Sequence, residues 1–261
     1  MLPLLLPFLG SAQVKRCVRD DLHGGTSLAG CTAFTSEFEQ LSTPDIEELT
    51  RALSRSPSLS FLSLRTKGFL NNDDAERVLA AAAENQNLDS LIFRVSAPLS
   101  AAAAGALAGA ISANQRLVTL DLRETSLGDD GFALIADALA ESTSIQHLLL
   151  GGNGITDAAP LVKVITANNK ALETIDFSNN RWGDAGASAL AEALTLHAGA
   201  LRDVVSQDHP AVVGDGIGRD AVVRMANEGK INVWTSRRES RRKSWVGLPQ
   251  KDHKTPDKSE L

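Results

Sequence analysis

One interval governs this sequence. Apolar residues at the first, fourth and sixth positions of a short frame recur as Leu59/Leu62/Leu64, Leu88/Leu91/Phe93, Leu117/Leu120/Leu122, Ile145/Leu148/Leu150 and Leu172/Ile175/Phe177. A frayed copy begins at Leu201/Val204, and successive first positions lie 29, 29, 28, 27 and 29 residues apart. Alternation within the frame describes a short strand with one face turned inward. The rhythm then changes. After Leu122, the turn "LGDDG" leads into Phe132, Ile135, Ala136 and Leu139, the three-and-four spacing of a helix face. A unit of one strand and one helix cannot bury its inner face alone, so the copies must stack.

The composition suits thin stacked layers. Of the 261 residues 43% are hydrophobic, but only 4% are aromatic and none is Tyr, so the core rests on Leu, Ile, Val and Ala. A net charge of −6 argues against a nucleic-acid-binding body. No apolar run approaches the roughly 18 residues of a membrane span. Two cysteines, Cys17 and Cys31, do not make a disulfide scaffold and are expected to be free thiols in a reducing compartment. No Cys/His cluster has metal-ligand spacing, so neither metal nor cofactor is expected.

Each part of the unit has a physical task. Asn153 and Asn180 follow the frame where a side-chain amide can bond the turning backbone, and Lys67, Ser96 and Thr125 replace Asn in the earlier copies. Gly128 and Gly183 permit tight turns, with Asp129 and Asp184 expected as helix N-caps. "GASALAEAL" places Ala187, Leu190, Ala191 and Leu194 on one helical face, and helices are expected to end near Asn85, Asn114 and Asn168, in the left-handed conformation that Asn tolerates. The unit length, the "LGDxG" turn and the "ALAxAL" helix resemble the ribonuclease-inhibitor-like class of leucine-rich repeats over residues 57–205.

That resemblance implies an α/β leucine-rich repeat solenoid, a horseshoe with parallel strands on the concave face and helices on the convex face. Residues 1–39 form an N-terminal segment; 40–56 read as a capping helix with Thr43 as N-cap, Pro44 at the first helical position and Glu47 in the first turn. About five repeats fill 57–205, a C-terminal cap takes 206–235, and 236–261 form a disordered basic and polar tail. Residues 1–12 resemble a short signal peptide without a basic n-region, and the final "KSEL" resembles the retention signal KDEL. "SEL" also resembles a PDZ ligand. A cytoplasmic location is expected, with the endoplasmic reticulum lumen as the alternative, in which Cys17 and Cys31 would bridge.

The function expected is protein binding by the concave wall, without catalysis and by a monomer. Six residues after each first position stand Arg65, Arg94, Arg123, Gly151, Ser178 and Gln207, all pointing outward. Either the three arginines pair with Asp121, Glu124 and other local carboxylates, or they form a basic stripe for an acidic partner segment. In the second case Arg94 and Arg123 could both become Glu with the melting temperature nearly unchanged. Phe61, Ile92 and Leu149 are expected beside them as exposed apolar anchors, with Asp121, His147 and Asp176 completing the candidate surface. His147 is the one histidine expected on the wall, and no nucleophile is placed beside it. "GDGIGRD", residues 214–220, lacks the features of a phosphate loop and reads as a turn. The tail segment "SRRESRRKSW" carries +4, leaving −10 on the rest, and Ser240 and Ser244 resemble basophilic-kinase sites. Three readings of this tail stay open: a solvated segment lying loosely on the acidic body, a polybasic address for the nucleus, anionic lipid or acidic protein, and a kinase substrate. Two other activities are implied by looser likenesses. Actin-filament end capping follows from a resemblance to the C-terminal half of tropomodulin, and GTPase activation from the Ran GTPase activators, whose acidic C-terminal stretch is replaced here by a basic one.

Overall fold

The computed structural model describes residues 15–23, 28, 30–37, 41–65, 70–95, 98–167, 170–196, 200–205 and 232–234. Within them lie nine strands: β1 (Arg16–Val18), β2 (Ala33–Glu37), β3 (Phe61–Arg65), β4 (Ser90–Arg94), β5 (Thr119–Asp121), β6 (His147–Leu149), β7 (Thr174–Asp176), β8 (Asp203–Val205) and β9 (Asn232–Trp234). All pair in parallel and in chain order, forming a single nine-stranded sheet among the described residues. Sequential order with parallel pairing requires a crossover between every two strands. The helices supply most of them: α1 (Arg19–His23), α2 (Thr43–Arg55), α3 (Asn72–Glu84), α4 (Ala101–Ala113), α5 (Gly128–Glu141), α6 (Ala159–Thr166) and α7 (Asp184–Leu196). Neighbouring helices pack on one another along the convex side.

The register is the repeat frame made visible. Cys17, Phe34, Leu62, Leu91, Leu120, Leu148, Ile175 and Val204 form one inward ladder and are buried to 2% exposure or less. The flanking residues of the frame, from Leu59 and Leu64 to Leu172 and Phe177, are buried with them. Alanines 103, 104 and 110 on α4 and 187, 191 and 193 on α7 turn to the same core. Small side chains there let each helix lie close to the strands.

The sheet begins earlier than the leucine frame. β1 and β2 lie within 1–39, so α2 stands between two strands as a convex helix and does not close the end of the stack. Its N-cap is Ser42, one residue before the expected Thr43, because Ser42 and Asp45 form a reciprocal capping box. Cys17 and Cys31 are joined by a disulfide, contrary to the expected free thiols. Cys17 faces inward from β1, Cys31 leads into β2, and their Cα atoms stand 6.0 Å apart. Closing this loop of 14 residues is worth about 3 kcal/mol.

Two turn expectations are also corrected. Asp129 does not cap α5, whose N-cap is Leu127 without a side-chain bond. Its carboxylate instead accepts from the backbone N–H of Thr156 (2.7 Å) and Asp157 (2.9 Å) in the next unit. Partial burial opposes its charge, but these bonds outweigh that and hold its pKa below the ordinary range. Asn85 and Asn114 follow their helices in extended, not left-handed, conformation. They act as bridges between units: Asn85 Nδ2 donates to Leu53 O at 2.9 Å and Asn114 Nδ2 to Asn85 O at 3.0 Å. Asn168 lies outside the described residues.

Beneath the turns runs a second asparagine ladder. Asn153 Nδ2 donates to Leu122 O and Leu150 O at 2.9 and 2.8 Å, while its Oδ1 accepts from the N–H of Thr125 and Leu127 at 3.1 and 3.2 Å. Asn180 repeats the pattern one unit on, donating to Leu150 O and Phe177 O and accepting from Asn153 and Ile155. Every polar atom of these buried amides is satisfied, as burial demands. Thr125 takes the Asn position in the preceding unit, with Oγ1 2.9 Å from Phe93 O and 2.6 Å from Leu122 O.

Candidate functional site

The same alternation that buries the leucines leaves the intervening side chains on the concave wall, in three columns fixed by the register. The first runs Phe61, Ser90, Thr119, His147, Thr174 and Asp203; the second Ser63, Ile92, Asp121, Leu149, Asp176 and Val205. The third aligns Glu37, Arg65 and Arg94, and Arg123 follows β5 in the same direction.

Asp121 organises the middle of this wall. Its side chain is 2% exposed and lies between two guanidinium groups. Arg94 donates from Nε at 3.1–3.2 Å and from Nη2 at 2.6 Å; Arg123 donates from Nε at 3.0 Å and from Nη2 at 2.8 Å. The backbone N–H of Arg123 adds a bond of 3.1 Å to Oδ1. Burial alone would raise the Asp121 pKa, but the bonds and charges of Arg123 and then Arg94 prevail and hold it below the usual carboxylate range. Burial likewise works against the Arg123 charge, and the bond to Asp121 more than offsets it, raising that pKa.

Arg123 also approaches Asp176, Nη1 to Oδ2 at 3.8 Å, by passing over the intervening rung at Gly151. A Cβ at residue 151 would meet Ser178 O at 3.3 Å, Asp176 Oδ1 at 3.5 Å and Arg123 Cγ at 3.6 Å. Glycine in the column is therefore what opens the path for the arginine. Arg65 has a single ion-pair contact, Nη1 to Glu37 Oε1 at 3.2 Å.

The other expected wall residues divide. His147 stands on the wall and is half-buried; of the three apolar anchors expected to be exposed, Phe61 is half-buried and Ile92 and Leu149 are only 9% and 6% exposed, so these two are not free anchors. Both sit in the middle column, which its two neighbouring columns cover. Burial lowers the His147 pKa against the opposing charges of Glu173 and Asp203, which leaves the imidazole neutral near pH 7. Of the two arrangements expected for the arginines, Arg94 and Arg123 adopt the pairing with Asp121 and hold a buried carboxylate, while Arg65 pairs with Glu37. Glu124, the other expected partner, forms no ion pair in this cluster among the described contacts, and its charge acts on Arg123 only as the smallest of the favourable contributions. Gln207, the loop at 214–220, Ser240 and Ser244, the tail and residues 1–12 lie outside the described residues, as do His197, His209 and His253.

Comparison with known proteins agrees with this architecture. A family model described as Leucine Rich repeat matches residues 168–191. The chain is 30% identical over 166 residues to the ribonuclease inhibitor of Sus scrofa, a match covering 62% of this chain and 36% of that protein. It therefore spans about a third of the length of that relative. It is 28% identical over 191 residues to leucine-rich repeat-containing protein 73 of Homo sapiens, covering 70% of this chain and 58% of that one. Among solved structures it is similar to leiomodin-1 actin-binding site 2 (TM-score 0.46, 16% identity, 60% of this chain and 90% of that chain). It is also similar to LegL7 from Legionella pneumophila (TM-score 0.43, 19% identity, 74% and 64% covered). With its frame realised as a parallel sheet backed by helices, the chain is a leucine-rich repeat solenoid whose repeats are similar to those of ribonuclease inhibitors.

Proposed function

We propose that this chain is a binding module, not an enzyme, and that it takes a protein partner on its concave wall. The observation that carries the reading is the cluster at Asp121, in which two arginines are fixed before any partner arrives. Arginine ordinarily surrenders much rotamer freedom when it is immobilised at an interface. Here that ordering is already supplied by the buried carboxylate, and part of each guanidinium still faces the open side, with Arg94 20% and Arg123 32% exposed. Planar, pre-ordered guanidinium groups on the same wall as the half-buried Phe61 fit the composition of protein-binding hot spots.

A photo-reactive residue placed at Thr119 on the wall, and separately at the exposed Leu134 on α5, tests this in the native cell. The partner identified by crosslinking is then purified and its affinity measured. Crosslinking from Thr119 but not Leu134, with at least tenfold weaker binding to Thr119→Trp, supports the wall. A partner that crosslinks only from Leu134 and binds Thr119→Trp normally would move the function to the helices. In assays of actin-filament end capping and GTP hydrolysis the isolated chain is expected to have no effect.

The Cys17–Cys31 bond supports placing the protein in an oxidising compartment in preference to the cytoplasm. Alkylation of protein from native cells before reduction should leave both thiols unmodified, and modification of both would return it to a reducing compartment.

A further inference from the structure

Along the wall, charges alternate except at one step. Arg94 and Arg123 share Asp121, and Arg123 reaches on to Asp176. Arg65 and Arg94 also stand side by side, paired in register on β3 and β4, but no acid lies between them. The residue that occupies the equivalent place is Ile92. It aligns with Asp121 in the next rung, so Ile92 stands to Arg65 and Arg94 as Asp121 stands to Arg94 and Arg123.

The consequence is visible in Arg65. Arg94 and Arg123 each present the edge formed by Nε and Nη2 to a carboxylate, whereas Arg65 Nε is buried with no hydrogen-bond partner. Burial, then the neighbouring charge of Arg94, lowers the Arg65 pKa, and Glu37 and then the more distant Asp121 offset this only in part. An unpaired buried N–H is costly to leave. Adjacent strands lie about 4.8 Å apart, so the two guanidinium stems emerge within the span that a carboxylate already bridges one rung away. Arg65 and Arg94 remain 23% and 20% exposed, which gives an approach from the open side.

We propose that a carboxylate side chain of a protein partner docks over Ile92 and bridges Arg65 and Arg94. It would complete the series Glu37, Arg65, carboxylate, Arg94, Asp121, Arg123, Asp176. The head of Arg65 turns so that its Nε and Nη2 edge meets the incoming group, as its two neighbours do with Asp121. A carboxylate fits better than a phosphate, because Glu37 and Asp121 flank the step and a second negative charge would be repelled from both sides. The proposal rests on the wall being a protein-binding surface and names the chemistry of what it receives.

The test uses the full chain labelled with 15N-arginine, following the Nε–H resonances of Arg65 and Arg94 at low salt. Hexaglutamate, hexaglutamine and inorganic phosphate are titrated separately. Hexaglutamate should shift both resonances saturably, hexaglutamine neither, and phosphate should bind at least tenfold more weakly. Arg65→Gln and Ile92→Asp should each weaken hexaglutamate at least tenfold, the second by supplying the acid internally. Shifts confined to other arginines, unchanged affinity in Ile92→Asp, or tighter binding of phosphate would overturn the site. A second readout needs no ligand: Ile92→Asp should melt above Ile92→Asn at pH 7, and adding Arg65→Gln should erase the difference. Ile92→Asp melting at or below Ile92→Asn would contradict the proposed geometry. Loss of the wall crosslink alone would sink the protein-binding reading while leaving these titrations standing.

Discussion

Strands β2, β3 and β4 run for five residues each, whereas β5 to β8 stop after three. In β5 and β7 the difference follows from one polar side chain. The third residue there is an aspartate whose Oδ1 accepts the backbone N–H two residues on, from Arg123 at 3.1 Å and from Ser178 at 3.0 Å. Such a bond turns the chain out of the strand, and the amides of Asn153 and Asn180 then hold the turn from beneath. Ser63 and Ile92 occupy the corresponding places in β3 and β4 and make no such bond among the described residues. The chain there continues straight, and this carries Arg65 and Arg94 into register. The β5–β7 half thus also uses polar side chains inside its turns, whereas β3 and β4 carry theirs on along the wall. Buried amides serve the fold, while wall guanidiniums are within reach of a partner.

The largest way to break this contrast is at the one place where both uses meet, Asp121. Exchanging Arg94 and Arg123 together for Glu would surround a buried carboxylate with like charges and is expected to cost roughly 3–5 kcal/mol. Chemical denaturation of the double variant measures it. An unchanged midpoint would mean that Asp121 is solvated and that the arginines are free.

A smaller effect comes from acid. The folded pKa of Asp121 is lowered by its two arginines, so the stability it contributes is fully present above the unfolded value, about 3.9, and is lost as pH falls through the folded value. The stability gap between the natural chain and Asp121→Asn should therefore be flat from pH 7 to about 5 and close below about pH 4. A gap that closes instead between pH 6 and 7 would assign the linkage to another group.

How much of this was legible beforehand depends on the kind of interaction. Burial of the frame follows from alternation and period alone, so Leu62 through Val204 fell on one ladder as the spacing requires. The first two rungs escaped because other residues stand in for leucine. Counting 28 residues back from Leu59, Leu62 and Leu64 reaches Cys31, Phe34 and Ser36, and Phe34 and Ser36 pair with Leu62 and Leu64. Allowing Cys, Phe and Ser in the frame would have found the second of them. The roles of Asn153 and Asn180 were readable because a buried amide after a strand has few other uses. The pairing of Arg94 and Arg123 with Asp121 was readable only as one of two arrangements, since spacing places side chains in a column without saying how their ends turn. Crowding on the concave side, which buries Ile92 and Leu149 at positions that alternate outward, is likewise a property of the stacked columns and not of any single rung.

The central claim is that the buried amides carry the fold while the wall guanidinium at Arg65 carries binding. Thermal unfolding of Asn180→Ala beside Arg65→Gln, each also titrated with hexaglutamate, addresses it directly. Removing the Asn180 amide strips the N–H groups of Asn153 and Ile155 and the carbonyls of Leu150 and Phe177 of a partner, at a cost of about 2–4 kcal/mol. Asn180→Ala should thus melt several degrees lower and bind hexaglutamate normally while folded. Arg65→Gln should melt within about 2 °C of the natural chain, as expected for the loss of one partly exposed ion pair, and bind at least tenfold more weakly. A large loss of stability in Arg65→Gln with binding retained would contradict the account.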